Sequence, residues 1–321
     1  MNIYLIAYTK NNLGDDLFTT MLVSKYPEIN FDINIEEMQY TKSLRNFSNV
    51  NIINEKRNLN KINVNKYDAI VYVGGSIFME KNNGLQRLKD FNKFIKHAKH
   101  NNVPFYYISC NFGPYETEEY LEVAKDTFSY CEDVCFRDKY SYDLFKDIKT
   151  VRYAPDIILS YEFNNIDKKE DTIGISIIDL NIRKDLINIK SKYIEMIKNN
   201  INKYQAEGKE VYLFSFCKYE GDENAINDIY NLVDNKEKLK IVKYNGNIEE
   251  FLKIYSQMEY MICSRFHSMI ISTRLKQKIL ILSYSKKIDN VIKDMNWNLN
   301  IKKLTDINES LILEIPEFKI V

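Results

Sequence analysis

The sequence predicts an α/β protein made of two Rossmann-like domains facing a cleft. Short β-branched or aromatic runs alternate with amphipathic helical patterns from one end of the chain to the other. A polar, aperiodic stretch, Ser160 to Asp171 (SYEFNNIDKKED), divides that alternation into two halves. At 321 residues the chain is also long for one ordinary domain and comfortable as two.

The elements follow in order. Ile3 to Tyr8 reads as a strand, and Gly14-Asp15-Asp16 opens a helix running to about Tyr26. Asp68 to Val73 (DAIVYV) is nearly all apolar, the pattern of a strand buried on both faces, and Gly74-Gly75 ends it. From Gly84 the positions Leu88, Phe91, Ile95 and Ala98 repeat at helical steps. Pro104 to Ser109 is the next strand, Thr117 to Tyr130 the next helix, and Asp133 to Phe136 a short strand. Asp138 to Asp147 reads as a helix, and Val151 to Tyr153 as a strand stopped by Pro155. The second half supplies strands at Thr172 to Ile178, Glu210 to Cys217, Leu239 to Tyr244, Glu259 to Cys263 and Lys278 to Tyr284. Helical patterns lie between them, as at Ile189, Tyr193, Met196, Ile197, Ile201 and Tyr204. The predicted domains are therefore 1–160, a linker 161–171, 172–303 with an anion site, and a tail 304–321 packing back on the body. Parallel sheets bind ligands at the carboxyl ends of their strands, so two facing domains form a cleft of the glycosyltransferase B type.

Composition narrows the function. Lys+Arg and Asp+Glu are 45 each, which argues against a nucleic-acid footprint over the whole surface, and no basic run carries interleaved aromatics. With Gly 9 and Pro 5, collagen-like and Pro/Gly-rich disordered classes are excluded. The 5 cysteines (Cys110, Cys131, Cys135, Cys217, Cys263) contain no CxxC pair and read as buried free thiols in a reducing compartment. No metal-ligand set is visible, so neither metal nor cofactor is expected. The opening MNIYLIAYTKNN has no basic leader, and no apolar run approaches the ~18–20 residues that span a bilayer. The expectation is a cytoplasmic protein without a transmembrane segment, with peripheral contact at the inner membrane face left open.

The chemistry-bearing residues fall at predicted strand ends. After the first strand come Asn12, Gly14, Asp15 and Asp16, where the helix start offers N–H groups to a polar ligand and a carboxylate could act on a sugar hydroxyl. Asp15 and Asp16 read equally well as complements to the helix dipole. Gly74-Gly75 and Asn111-Phe112-Gly113-Pro114 are turns on the same edge, fit for close ligand approach or for ordinary strand-to-helix geometry. Arg137-Asp138 opens a helix, Arg137 reading either as a cleft cation or as half of a structural ion pair, and Pro155-Asp156 closes the half. The sharpest group is Cys263-Ser264-Arg265-Phe266-His267-Ser268, between a strand and a helix. Arg (8 residues) and His (3) are scarce here, and Ser264 suits an N-cap. A guanidinium fork, an imidazole and helix N–H groups could converge there on phosphate or carboxylate. The other two histidines, His97 and His100, read as solvated charges at a helix end. Lys286 and Lys287, after the last strand, could hold a second anionic group or simply begin a solvent-facing helix.

In this order the pieces resemble the polysaccharide pyruvyl transferase family: Asn12-Leu13-Gly14-Asp15, Gly74-Gly75, Gly113-Pro114, Arg137-Asp138-Lys139-Tyr140-Ser141, Pro155-Asp156, Arg265-Phe266-His267 and Tyr284-Ser285-Lys286-Lys287. Ser76 stands where members often carry a third glycine. The resemblance implies transfer of the pyruvyl group of phosphoenolpyruvate to a sugar of a cell-surface polysaccharide precursor, capsule or exopolysaccharide, forming a pyruvate ketal. It implies phosphoenolpyruvate as co-substrate and a sugar or lipid-linked oligosaccharide as acceptor. On this reading His267 is the acid or base, Arg265 holds the donor anion and Asp15 meets the acceptor. Donor contacts come from Arg137, Ser264, Ser268, Lys287, Gly74 and Gly75, and acceptor contacts from Asn12, Asp16 and Asn111. The competing reading is a glycosyltransferase of the same architecture using a nucleotide sugar.

Overall fold

The computed structural model describes residues 1–81, 83–164, 166–183 and 185–314. The chain forms two compact units: Met1–Thr9 with Asp15–Ile157, and Lys10–Gly14 with the chain from Ile158 onward.

In the first unit the order is β1 (Asn2–Ile6), α1 (Leu13–Lys25), β2 (Asn30–Asn34), β3 (Val50–Ile53), β4 (Ala69–Val73), α2 (Gly84–His100), β5 (Phe105–Cys110), α3 (Glu118–Ser129), β6 (Asp133–Phe136), α4 (Lys139–Phe145) and β7 (Val151–Tyr153), with Leu13 and Gly14 at the start of α1 grouped with the second unit. Among the described residues the strands pair in the order β3-β2-β1-β4-β5-β6-β7, every pair parallel. The apolar runs that predict β1 and β4 are the central strands, buried almost throughout. Beneath them an aromatic core gathers Phe78, Phe112, Phe128, Phe136 and Phe145, with Phe112 and Phe145 4.7 Å apart edge to face.

The second unit runs β8 (Lys169–Ser176), α5 (Lys190–Ala206), β9 (Glu210–Ser215), α6 (Asp222–Leu232), β10 (Leu239–Lys243), α7 (Ile248–Ser256), β11 (Met258–Cys263), α8 (Phe266–Arg274), β12 (Lys278–Ser283), α9 (Lys286–Asp294) and β13 (Asn300–Lys303). Its strands pair β10-β9-β8-β11-β12-β13, again all parallel. Its main core is aliphatic, with Ile173, Ile175, Ile197, Ile201, Ile226 and Ile229 fully buried.

Each sheet therefore starts in the middle, grows one way, and returns to grow the other way. The order reverses between β1 and β4 and again between β8 and β11, which is where an open parallel sheet leaves a crevice at its carboxyl edge. Three strands are absent from the sequence expectation. β2 (NFDIN) and β13 (NIKK) are short and polar, β3 (VNII) is short and broken by Asn51, and all three are half-exposed or exposed, so none carries a long apolar run. β8 begins at Lys169, inside the stretch read as linker. The tail from Leu304 to Glu314 lies on the second unit, with Leu313 buried and its carbonyl accepting from the Tyr204 hydroxyl at 2.5 Å. The remainder of the predicted tail lies outside the described residues.

All five cysteines are free and buried. His97 and His100 sit exposed in the last turn of α2. Among the described residues no helix is long and apolar enough to cross a membrane.

Candidate active site

In the first unit the strand-end residues knit into a buried polar knot. Arg137 directly follows β6. One of its terminal nitrogens donates to Asp156 Oδ2 at 2.8 Å, and the other to Asn111 Oδ1 at 2.9 Å. Asn111 Oδ1 also accepts from Ser76 Oγ at 3.0 Å, and the Asn111 amide donates to the Gly75 carbonyl. Arg137 is only 3% exposed and Asp156 2%. Breaking so buried an ion pair would strand a charge, at a cost of ~3–5 kcal/mol.

The Arg-Asp-x-x-Ser pattern has a local cause. Asp138 caps α4 by accepting the Ser141 amide at 2.8 Å, and Ser141 Oγ returns a bond to Asp138 at 3.0 Å. The same Ser141 hydroxyl accepts the Phe112 amide, which fixes the turn after β5. Gly74 has a φ of +123°, and a Cβ there would lie 3.4 Å from Asp15 Oδ1. On Gly75 a Cβ would lie 3.6 Å from both Asp15 Oδ1 and Arg137 Nη2. These are ordinary contact distances, so it is the backbone conformation at Gly74, not space, that favours glycine here. Asp15 is partly exposed, whereas Asp16 is buried in the same first turn of α1.

In the second unit the sharpest sequence group sits where the strand order reverses. Ser176, ending β8, accepts the amides of Ser264 and Arg265 at 2.9 and 3.2 Å, which fixes the junction between β11 and α8. The cap position belongs to Arg265, not Ser264, and no side chain caps α8. Ser264 is fully buried, its hydroxyl 3.3 Å from that of Tyr193. Ser268 is fully buried too, bonded to the Tyr255 hydroxyl at 2.8 Å beside Ser272. Both hydroxyls are thus engaged within the second unit.

Arg265 is 7% exposed and reaches two carboxylates, Glu220 and Asp222. Asp222 also accepts the amides of Phe216 and Cys217 at 2.9 and 3.0 Å. The two carboxyls titrate in opposite directions. Burial pushes Asp222 up to about 6 despite the pull of Arg265. Burial also acts to raise Glu220, but Arg265, Arg183 and Lys287 outweigh it, and Glu220 lies below its ordinary value. The two differ in burial: Asp222 has no exposed side-chain surface and burial dominates it, whereas Glu220 keeps some exposure and three cations hold it down. Asn12 joins the network: its Nδ2 donates to Glu220 Oε1 at 3.1 Å, and its Oδ1 accepts the Gly14 amide at 3.1 Å. Asn12 is therefore a buried cap, a role that accounts for both ends of its amide.

His267 is partly exposed between its buried neighbours Phe266 and Ser268. A Cβ on Gly14 would overlap the imidazole, so any side chain there would displace the ring. Lys287 lies 5.4 Å from the centre of the Phe266 ring and 5.9 Å from that of Tyr284. Sequence reasoning misses Glu220, Asp222 and Arg183. Glu220 and Asp222 follow β9 at its carboxyl end, a placement that could have singled them out. Arg183 follows β8 and is one of only 8 arginines. Among the described residues no group of three or more His, Cys, Asp or Glu is placed to hold a metal ion.

Comparison with known proteins gives a family and a fold. The family profile described as polysaccharide pyruvyl transferase matches residues 12–286. The amylovoran biosynthesis protein AmsJ of Erwinia amylovora is 23% identical over 253 residues, covering 72% of this chain and 60% of that protein. The aligned chain thus spans about three-fifths of that relative. UDP-GlcNAc 2-epimerase from Methanocaldococcus jannaschii superposes with a TM-score of 0.61 at 10% identity, over 98% of this chain and 95% of that one. Alr3699/HepE of Anabaena, solved with UDP and glucose, gives 0.57 at 12% identity, over 94% and 85%. At such identities the two structures share a fold, and nothing more follows from them.

Proposed function

Because the chain belongs to the polysaccharide pyruvyl transferase family, we propose that it moves the pyruvyl unit of phosphoenolpyruvate onto two hydroxyls of one sugar in a surface-polysaccharide precursor. The first hydroxyl oxygen bonds to the enol carbon as the methylene takes up a proton to become methyl. The second oxygen then displaces phosphate from the same carbon, closing the ketal. Of the two hydroxyl protons, one is balanced by the new methyl and the other leaves with phosphate.

Family membership over residues 12–286 carries this reading. The strand-end cluster of the second unit supports it. Arg183, Arg265 and Lys287 all act electrostatically on Glu220, and with Asp222 the group counts three cations against two carboxylates. That is a setting for an anionic donor rather than for a metal. His267, partly exposed and backed by Gly14, is the side chain assigned to protonate the methylene or to accept a hydroxyl proton. Asp15 is assigned to the acceptor hydroxyls. We place the reaction in the cytoplasm, on a free sugar or a lipid-linked oligosaccharide.

The test is a thermal-shift titration with phosphoenolpyruvate, inorganic phosphate, UDP and CMP. A ligand at 100 times its dissociation constant adds about 2.7 kcal/mol, which is read as a shift of a few degrees. Stabilisation by phosphoenolpyruvate beyond that by phosphate is the expected result. Stabilisation by a nucleotide alone overturns the reading in favour of a nucleotide-sugar glycosyltransferase.

A further inference from the structure

Arg183 belongs to none of the sequence motifs. It sits in the connection between β8 and α5, with its guanidinium over the Tyr284 ring, Cζ 4.2 Å from the ring centre and one Nη 3.5 Å from the phenol oxygen. Its Nε is buried and has no hydrogen-bond partner. The same holds for Arg265 Nε and for Ser285 Oγ. Ser285 directly follows Tyr284 and occupies the cap position of α9, yet its hydroxyl caps nothing.

Two of these orphaned atoms belong to residues beside Tyr284: Arg183, which stacks on its ring, and Ser285, which follows it in the chain. Burial works to raise the Tyr284 hydroxyl, but Lys287, Arg183 and Arg265 outweigh it and hold it below the ordinary tyrosine value, so all three cations act on the same group. Each orphan can donate a hydrogen bond, and buried donors are rarely left without an acceptor. The carboxylates Glu220 and Asp222 engage only the terminal nitrogens of Arg265, which leaves its Nε edge to something else. A group that accepts several hydrogen bonds at once and carries negative charge is an oxyanion.

We infer that Arg183 Nε, Arg265 Nε and Ser285 Oγ form a subsite for an oxyanion, phosphate or carboxylate, with Arg183 as the residue that selects it. The inference rests on the donor reading above, in which phosphoenolpyruvate brings both kinds of group, and Arg183 adds a positioning contact that the motifs do not contain. Stacking on Tyr284 holds its planar fork in place, which a lysine at the same position would not reproduce.

The experiment measures binding of inorganic phosphate, pyruvate and phosphoenolpyruvate to the full chain and to its R183Q, R183K and S285A variants by titration calorimetry, with ketal formation assayed in parallel. R183Q is expected to weaken phosphate or pyruvate about tenfold or more, as loss of a charge-assisted bond does, with R183K recovering only part and S285A losing less. Whether phosphate or pyruvate responds identifies the group held. An unchanged unliganded melting temperature shows that the variants fold. Equal anion binding by wild type and R183Q, or no anion binding by wild type, overturns the subsite. Phosphoenolpyruvate turnover by R183Q at the wild-type KM also overturns it while leaving the donor reading intact. Arg183-dependent phosphate binding without any ketal product keeps the subsite and removes the donor reading.

Discussion

Two arginines end parallel strands in the two units, and the protein treats them differently. Arg137, after β6, gives its terminal nitrogens to Asp156 and Asn111, neutral and anionic partners fixed in a buried knot. Arg265, after β11, faces two carboxylates yet keeps its Nε unpaired, as Arg183 does. The first arrangement is what a folding framework needs. The second holds donors in reserve for something the chain itself does not provide. Sequence alone puts both arginines in one category, as scarce cations at strand ends, and only their partners separate them.

The sharpest way to strengthen this contrast is at His267. Its replacement by alanine is expected to lower ketal formation by ~10²–10⁴-fold, the range of a general acid or base, with the melting temperature nearly unchanged because the ring is partly exposed. Retention of more than about a tenth of the wild-type rate would remove the assignment.

Arg137 tests the contrast from the other side. If it is framework, Arg137→Met loses ~3–5 kcal/mol in urea unfolding by leaving Asp156 buried and unpaired, and adding Asp156→Asn recovers much of that loss. Unimpaired stability together with lost phosphoenolpyruvate binding would break the contrast and make Arg137 a ligand residue like Arg265.

The smallest expected effect is a slope. Asp222 is pushed up to about 6 by burial, so between the ordinary aspartate value and that point the folded chain binds a proton that the unfolded chain does not. Stability from this group therefore falls as pH rises through the window, by at most ~1.4 kcal/mol per pH unit. Asp222→Asn should flatten that part of the unfolding profile. An identical profile in the variant would show that Arg265 keeps Asp222 ionised throughout.

How much of this could be read from the sequence follows from burial. β1, β4, β9 and β12 are covered on both faces, and their apolar runs announce them. β2, β3 and β13 lie towards the rims of their sheets, where polar residues are tolerated, and so leave no run to find. Strand ends told where chemistry could sit, because parallel sheets open there. They did not tell which side chains face outward: Ser264, His267 and Ser268 are near neighbours in sequence, but only His267 reaches solvent. The pairing of Arg265 with Glu220 and Asp222 spans more than forty residues, a tertiary fact with no local trace.

The rim strand β13 has a meaning of its own. A strand at the margin of a sheet offers unpaired backbone groups to any chain that drifts past, an invitation to aggregate. Here that strand reads Asn-Ile-Lys-Lys, with Lys302 and Lys303 both exposed, and the opposite margin, β10, carries Lys240 and Lys243. The like charges of Lys302 and Lys303 oppose a second copy at the β13 margin, whereas Lys240 and Lys243 are paired with Glu210 and Glu223. Lysine thus has a second use in this chain, as a guard on the β13 margin.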